Sequence, residues 1–166
     1  MASKKGIVTT IIILSVITGA SFLLWLVPQE EDATFIVTDY ENYLDGVKNI
    51  HEVLQESMEI EYQNLRSGKI SPQDYIVIAD VTSSQVTSQI SEFVTSKPPE
   101  IWQDSYISYM EALKKFNSYI GETKVLANLI EKGSTDTELN EVIEKIELMK
   151  KESLEHAKNS EEQRPN

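Results

Sequence analysis

The feature that most constrains the fold of this chain is an uncharged, apolar run near its N-terminus. Residues 6–27 contain no charged side chain and consist mainly of Ile, Leu, Val and Thr. As an α-helix, this run is about 33 Å long, which is enough to cross a hydrocarbon core of about 30 Å. The run therefore predicts a transmembrane helix at residues 6–27, preceded by a short end at residues 1–5.

The two ends of this run indicate its orientation. Lys4 and Lys5 precede it, and no basic residue follows it up to residue 37. Trp25 lies near its far end, where an indole ring favours the membrane interface, and Pro28 stops the helix. Because cytoplasmic flanks carry the excess of lysine and arginine, we expect a cytoplasmic N-terminus and an extracytoplasmic C-terminal region. The predicted protein is a single-pass protein of the cell membrane.

Two other interpretations of the apolar run are open. A cleaved export signal has a shorter apolar core followed by small residues, and residues 18–20 are small, although the run continues to residue 27. Residues 5–8 (KGIV) resemble the processing site of archaeal type IV pilin-like precursors. That resemblance implies a secreted, pilin-like subunit, but Ile11 stands where the bacterial form of the family has Glu.

The predicted transmembrane helix contains two small residues, Ser15 and Gly19, four positions apart. Small residues at this spacing allow two membrane helices to approach closely. One hypothesis is therefore that the span pairs with another span, including that of a second copy of the chain. The alternative is that both residues simply face the lipid bilayer.

The remainder of the chain is strongly acidic. Of the 15 basic residues, 13 lie beyond residue 27, together with all 27 acidic residues, for a formal charge of −14. This charge repels phosphates, so the chain is not expected to bind nucleic acid. The absence of cysteine excludes disulfides and thiolate sites. The charge either keeps the domain soluble or presents an acidic surface to a basic partner or to cations.

Apolar residues at steps of three and four predict four amphipathic helices after a linker at residues 28–37. The predicted ranges are residues 39–66, about 72–96, about 100–132 and about 136–159, followed by a disordered tail at residues 160–166. The connections are short, so consecutive helices must alternate in direction. The sequence therefore predicts an all-α chain in which the transmembrane helix precedes an antiparallel four-helix bundle at residues 38–159.

Capping motifs mark the predicted helix starts. Thr38 with Glu41, and Thr135 with Glu138, have the spacing of a capping box. Ser71 precedes a proline that suits a first helical turn. These signals predict where the first, second and fourth helices begin.

The second helix has the least regular pattern of the four. Residues 75–81 (YIVIADV) also suit a β-strand, and the remainder is rich in Ser and Thr. Spacing of three and four residues over about twenty positions favours a helix. Its predicted inward residues are Ile76, Ala79, Ser83, Val86, Ile90 and Phe93.

An aromatic row along the third helix predicts the core of the bundle. Trp102, Tyr106, Tyr109 and Phe116 lie on one side of the helix. At about 100° per residue, Tyr119 points roughly 100° away from Trp102. We therefore expect Tyr119 to face outward, where it would mark a surface for a partner.

The two histidines of the chain raise the question of a metal site. In ferritin-like di-iron bundles a glutamate stands three residues before each histidine, and neither His51 nor His156 has one. A looser copper or zinc site formed by His51, Met58, Glu152 and His156 is geometrically feasible, because each helix would contribute two of them from one face. The alternative is that both histidines are ordinary surface or boundary residues.

The sequence carries no recognisable catalytic motif. No Ser-His-Asp arrangement, phosphate-binding glycine-rich loop or dinucleotide motif occurs, and no cofactor is expected. We therefore expect a non-enzymatic, membrane-anchored bundle that binds or scaffolds other membrane or extracytoplasmic proteins, as an accessory subunit of a membrane complex. The alternative is an extracytoplasmic bundle that binds a small ligand or a metal ion.

Overall fold

A computed structural model describes residues 37–165, which form four helices. We number them α1, Tyr40–Arg66; α2, Pro72–Thr95; α3, Glu100–Lys132; and α4, Asp136–Glu162. This part of the chain contains no strand, so the all-α prediction is confirmed here, including helix at residues 75–81. The predicted transmembrane helix lies outside the described residues. None of α1–α4 has the length and apolarity needed to cross a membrane.

The starts of α2 and α4 follow their capping chemistry. The side chain of Ser71 accepts a hydrogen bond from the first turn of α2. Thr135 and Glu138 form the complete capping box at α4. Gly133, with φ of +67°, ends α3 in the left-handed conformation that glycine adopts without strain. The predicted N-cap of α1, Thr38, is wrong by one position.

Asp39, not Thr38, caps α1. A carboxylate oxygen of Asp39 accepts a hydrogen bond from the amide of Asn42 at 3.0 Å. A second contact joins the side chains of the same two residues. Asp ranks with Asn and Ser as the best caps, ahead of Thr, so Asp39 displaces its neighbour.

The predicted disordered tail at residues 160–166 is wrong for its described part, because α4 continues into it. Ser160 is fully buried, and its carbonyl accepts a hydrogen bond from the Ser105 hydroxyl at 2.9 Å. Arg164 lies 2.6 Å from the carboxylate of Asp45 in α1. These contacts hold the last turn through polar groups, which a search for apolar periodicity does not detect.

Contacts between the helices show that they alternate in direction along the chain. Near one end of the bundle, Lys48 of α1 pairs with Glu161 of α4 at 3.0 Å. Further along, Glu59 of α1 pairs with Lys150 of α4 at 2.8 Å. Residue numbers rise in α1 as they fall in α4, as expected for the predicted bundle. The start of α1, the end of α2, the start of α3 and the end of α4 share one end.

The most extensive contact between two helices of the bundle is between α3 and α4. Ser105 and Ala112 of α3 face Ser160 and Ser153 of α4, and all four are fully buried. The Ser153 hydroxyl donates to the carbonyl of Ala112 at 2.9 Å. Because small residues recur every seven positions on both helices, the backbones come close along a shared seam.

The aromatic side chains of α3 pack against α1 and α2. The ring of Tyr106 stacks on Phe93 of α2 with centroids 4.6 Å apart. Phe116 packs on His51 of α1 at 4.8 Å. The predicted aromatic core of α3 is confirmed, with Trp102 half-buried at its end.

The buried face of α2 agrees with the predicted one at Ala79, Val86 and Phe93 and differs from it at the other three positions. On α2 the buried residues are Tyr75, Ala79, Thr82, Val86, Gln89 and Phe93. The predicted inward residues Ile76, Ser83 and Ile90 are half-buried. On α4, the spacing of Leu139, Val142, Ile146, Met149 and Leu154 predicts one inward face, and Val142 and Ile146 are buried as predicted. Leu154 is instead 52% exposed, and Ser153 occupies the core position. A leucine does not fit the narrow gap between α3 and α4, so the smaller serine faces inward.

The seam between α3 and α4 predicts that a larger apolar side chain at Ser153 destabilises the bundle more than a smaller one does. Ser153→Leu should lower the free energy of unfolding by about 3 kcal/mol, since a larger side chain forces the backbones apart. Ser153→Ala, which loses one hydrogen bond, should cost about 1 kcal/mol. Urea unfolding of the full chain, monitored by near-ultraviolet circular dichroism, measures both changes in the free energy of unfolding. Leu154→Ala is the matched control and should change stability by less than about 0.5 kcal/mol; a larger effect there than at Ser153 would contradict the seam.

Candidate functional site: an uncharged face on α1 and α2

His51, the first metal-site candidate, lies in the core. It is 1% exposed, and its Nδ1 lies 3.0 Å from the hydroxyl oxygen of Tyr109. Its Nε2 is buried and has no hydrogen-bond partner among residues 37–165. Burial lowers the pKa of His51 to about 4, because the charged ring would lose its hydration. The imidazole is therefore neutral at pH 7.

The other three candidates occupy different settings. Met58 is fully buried on α1. The carboxylate of Glu152 lies 2.7 Å from Nζ of Lys115 on α3, and His156 is half-buried on α4. Within the described part of the chain, no group of three or more His, Asp or Glu side chains is arranged to hold a metal ion. His51, Glu152 and His156 therefore do not form such a group.

Tyr119 does not face outward, so its predicted role as a partner surface is wrong. The side chain is 2% exposed, and its ring stacks on Phe116 at 5.8 Å. It also meets Tyr62 of α1 edge to face at 6.3 Å. The prediction assumed that one narrow stripe of α3 is buried. Because α3 contacts all three other helices, a wider arc of its surface lies inside.

The residues proposed for the membrane anchor lie outside the described residues. They are Lys4, Lys5, Ser15, Gly19, Trp25 and Pro28. Their roles stay predictions from the sequence.

Charge is distributed unevenly over the four helices. The 27 residues of α4 include 13 charged side chains, whereas the 24 residues of α2 include three, Asp74, Asp80 and Glu92. Asp74 lies in the first turn of α2, and Asp80 pairs with Lys124 of α3. Glu92 lies near the other end. Apart from Asp80, the outer surface of α2 between Asp74 and Glu92 carries no charged side chain.

A stripe of exposed aliphatic residues on α1 borders this surface. Ile50, Val53 and Ile60 are 36%, 40% and 53% exposed and lie on one side of the helix, at steps of three and seven. Ile50 follows Tyr43 by seven residues, and the ring of Tyr43 stacks on Phe93 of α2 at 5.9 Å. Ile50 therefore lies on the side of α1 that faces α2, and Val53 and Ile60 lie about 80–100° further round the helix, toward solvent.

The matching stripe on α2 combines valines with serines. Val77 and Val81 are 64% and 42% exposed, and Ser84 and Ser88 continue the row at steps of three and four. The neighbouring positions that contact α3, such as Ser83, lie to one side of this row. We define the α1–α2 face by eight residues: Ile50, Val53, Ser57, Ile60, Val77, Val81, Ser84 and Ser88.

The hydroxyl groups of α2 are largely satisfied within the helix. The Ser84 hydroxyl donates to the carbonyl of Asp80 at 2.9 Å. Thr87, next to the face, donates to the carbonyl of Ser83 at 2.8 Å. Because these donors already have partners, covering them costs less free energy than covering free hydroxyls. The face is therefore less polar than its serine content suggests.

The sequence contained one signal for this face, namely the scarcity of charge in α2. Sequence reasoning missed it because only the inward residues of α2 were predicted, and the expected partner surface was placed at Tyr119 of α3. No family model, curated protein or solved structure matches this chain. The α1–α2 face and the buried His51 are therefore interpreted from their own chemistry.

The buried His51 predicts a pH-dependent stability. Its folded pKa of about 4 lies below the value of 6.5 for an exposed histidine, so the unfolded chain binds the proton first as the pH falls. The stabilisation is complete above about pH 6.5 and should decline by about 2 kcal/mol between pH 7 and pH 5. Urea unfolding of the full chain at several pH values measures this slope.

Two histidine variants test the assignment. His51→Gln should flatten the slope between pH 7 and pH 5, whatever its effect on stability at pH 7. His156→Gln, at the half-buried histidine of α4, is the matched control. The same slope in all three proteins would show that His51 is not its source.

Proposed function

We propose that this protein is a membrane-anchored helical bundle that binds other proteins through the α1–α2 face, outside the cytoplasm and without catalysing a reaction. It would act as an accessory subunit or scaffold of a membrane complex. The observation that carries this proposal is the uncharged, partly aliphatic α1–α2 face on an otherwise highly charged domain. Contiguous exposed apolar surface of this kind is typical of sites that other macromolecules cover.

The composition of the face suits protein recognition. The aliphatic side chains of Ile50, Ile60 and Val77 offer apolar area that is removed from water on binding, worth about 25 cal/mol per Å². The hydroxyl of Ser84 is already satisfied. A partner therefore gains the apolar contact at these residues, while the exposed carboxylates of Glu56 and Glu92 border the face.

The titration behaviour of the core supports a non-catalytic role. The strongest pKa shifts fall on His51 and on buried tyrosines such as Tyr75, Tyr109 and Tyr119. In each case burial is the main cause, and it favours the neutral form of the side chain. A catalytic acid or base needs a shifted pKa together with access to a substrate, and these side chains are buried.

The membrane anchor is supported by the sequence features around residues 6–27. The linker predicted at residues 28–37, with the two residues that precede α1, can extend to at most about 40 Å. A bundle on this tether stays close to the bilayer. Its partners would then be membrane proteins or proteins at the membrane surface, outside the cytoplasm.

Membrane fractionation tests the anchor. The full chain should stay in the membrane pellet after an alkaline carbonate wash and enter solution with detergent. A variant lacking residues 6–27 should be released without detergent. Mass spectrometry of the N-terminus should find residues 1–27 intact, and a mature chain starting at Ile7 or Ser21 would favour the pilin-like or cleaved-signal interpretation.

Co-purification tests the binding role of the face. Native mass spectrometry of the full chain, extracted in mild detergent from its own membrane, should detect a complex. Ile60→Glu places a charge on the α1–α2 face and should remove the bound protein. Ile107→Glu is a matched control, because Ile107 on α3 has the same 53% exposure. Equal loss of the complex in both variants would count against the face.

A further inference from the structure

We infer that the hydroxyl groups of Tyr62, Tyr75 and Tyr119 form an internal site that binds water between α1, α2 and α3. The site lies inside the bundle, so it is independent of the α1–α2 face and of the partner proposed for that face. The inference is carried by the burial of the three hydroxyls, by their position near one another and by the chemistry of the groups around them.

The three tyrosines are buried with their hydroxyls unpaired. Tyr62, Tyr75 and Tyr119 are 1%, 0% and 2% exposed, and none of their hydroxyl groups has a hydrogen-bond partner among residues 37–165. The hydroxyl of Tyr106, which is also buried, donates instead to the carbonyl of Tyr40 at 2.7 Å. A buried hydroxyl without a partner loses its hydration and gains no bond in return, so native structures contain few of them. Three such groups together indicate a partner outside the polypeptide.

The three hydroxyls come from three helices and lie near one another. The rings of Tyr62 and Tyr119 meet edge to face, with centroids 6.3 Å apart. Tyr62 lies one turn before the end of α1 and Tyr75 one turn after the start of α2, so both lie close to the 67–71 connection. Burial is the main cause of the raised pKa of Tyr119, and the proximity of Tyr75, Glu59 and Tyr62 raises it further. Tyr119 is therefore within electrostatic reach of both other hydroxyls.

The polar side chains around the site already have partners of their own. Burial raises the pKa of Tyr75, and the nearby Thr123 offsets part of this rise. The Thr123 hydroxyl, however, donates to the carbonyl of Ile120 at 2.8 Å. The carboxylate of Glu59 pairs with Nζ of Lys150 at 2.8 Å. These groups therefore leave the three tyrosine hydroxyls to another ligand.

The charges around the site favour an uncharged ligand. The guanidinium of Arg66 lies over the ring of Tyr62, 5.8 Å from its centroid, and would repel a cation. The carboxylates of Glu59 and Glu147 lie near enough to Tyr119 to raise its pKa, in addition to the larger effect of burial, and would repel an anion. A small neutral molecule meets neither repulsion.

Water has the hydrogen-bonding chemistry that this site needs. Burial raises the pKa values of all three tyrosines, so their hydroxyls stay protonated at pH 7 and each can donate and accept a hydrogen bond. A buried water molecule typically makes about three hydrogen bonds to polar groups that would otherwise be unpaired. Three hydroxyls from three helices match that number. The bound water would join α1, α2 and α3 on the side of the bundle that large side chains fill.

Substitution of tyrosine by phenylalanine tests whether the hydroxyls bind water, because it removes the hydroxyl and keeps the ring. Tyr62→Phe, Tyr75→Phe and Tyr119→Phe should each raise the unfolding equilibrium constant of the full chain about fivefold, as expected for the loss of one hydrogen bond. Urea unfolding monitored by far-ultraviolet circular dichroism measures this constant. Tyr106→Phe, which loses a direct hydrogen bond to a carbonyl, is the control for the magnitude. An unchanged or lower constant at two or more of the three positions would show unpaired hydroxyls and overturn the site.

A double-mutant cycle tests whether the hydroxyls share one ligand. Tyr75→Phe combined with Tyr119→Phe should raise the unfolding constant by less than the product of the two single effects, because the first substitution already weakens the shared water. The matched cycle combines Tyr75→Phe with Tyr106→Phe, whose hydroxyl bonds elsewhere, and should give the full product. The full product in both cycles would overturn a shared site.

Water relaxation detects the ligand directly. Oxygen-17 relaxation dispersion of the full chain in detergent measures water molecules that stay inside the protein for longer than its rotational tumbling time. The variant with all three tyrosines replaced by phenylalanine should lose the contribution of about one such molecule, whereas Tyr106→Phe should lose none. Equal dispersion in these two variants and the unmodified protein would overturn the inference. The single variants provide the same comparison if the triple variant does not fold.

Discussion

The close approach of α3 and α4 is the contact on which the rest of the bundle depends. Ser105, Ala112 and Ser153 leave no room between these helices for a large side chain, and two serine hydroxyls bind carbonyl groups across the gap. The aromatic rings of α3 therefore pack on its other sides, against α1 and α2. Serine and alanine provide the narrow side of the bundle, and tyrosine and phenylalanine fill the wide side.

The wide side explains why His51 is buried. Its ring fills space between Tyr109 and Phe116, where an aromatic or imidazole ring fits the packing. Because this position is buried, the imidazole ring stays uncharged there. The tyrosine hydroxyls in the core stay protonated for the same reason. Histidine and tyrosine side chains can take part in catalysis, but these are buried in the core. We therefore interpret them as structural. The exposed α1–α2 face is therefore the candidate functional site.

The charged side chains on the surface of the bundle are also distributed unevenly between its narrow and wide sides. Ion pairs such as Lys48 with Glu161 and Lys115 with Glu152 join α4 to its neighbours. The outer side of α2 lacks such pairs except at Asp80, and it presents valine and serine to solvent. A helix of Ser, Thr and Val has weak intrinsic helix propensity, so α2 relies on packing more than on its own sequence. The exposed valines and serines on this side of α2 form part of the face that we propose as a binding surface.

The sequence by itself determined the helices, their alternation and most of their caps, because periodicity, capping residues and short loops act locally and need no knowledge of neighbours. It also determined the acidic character of the domain and the apolar run that predicts an anchor. Only the tertiary structure decided that Tyr119 lies inside, that Ser153 displaces Leu154 from the core, and that Arg164 orders the last turn. These outcomes depend on how many neighbours each helix has and how closely they approach, and local patterns do not contain that information.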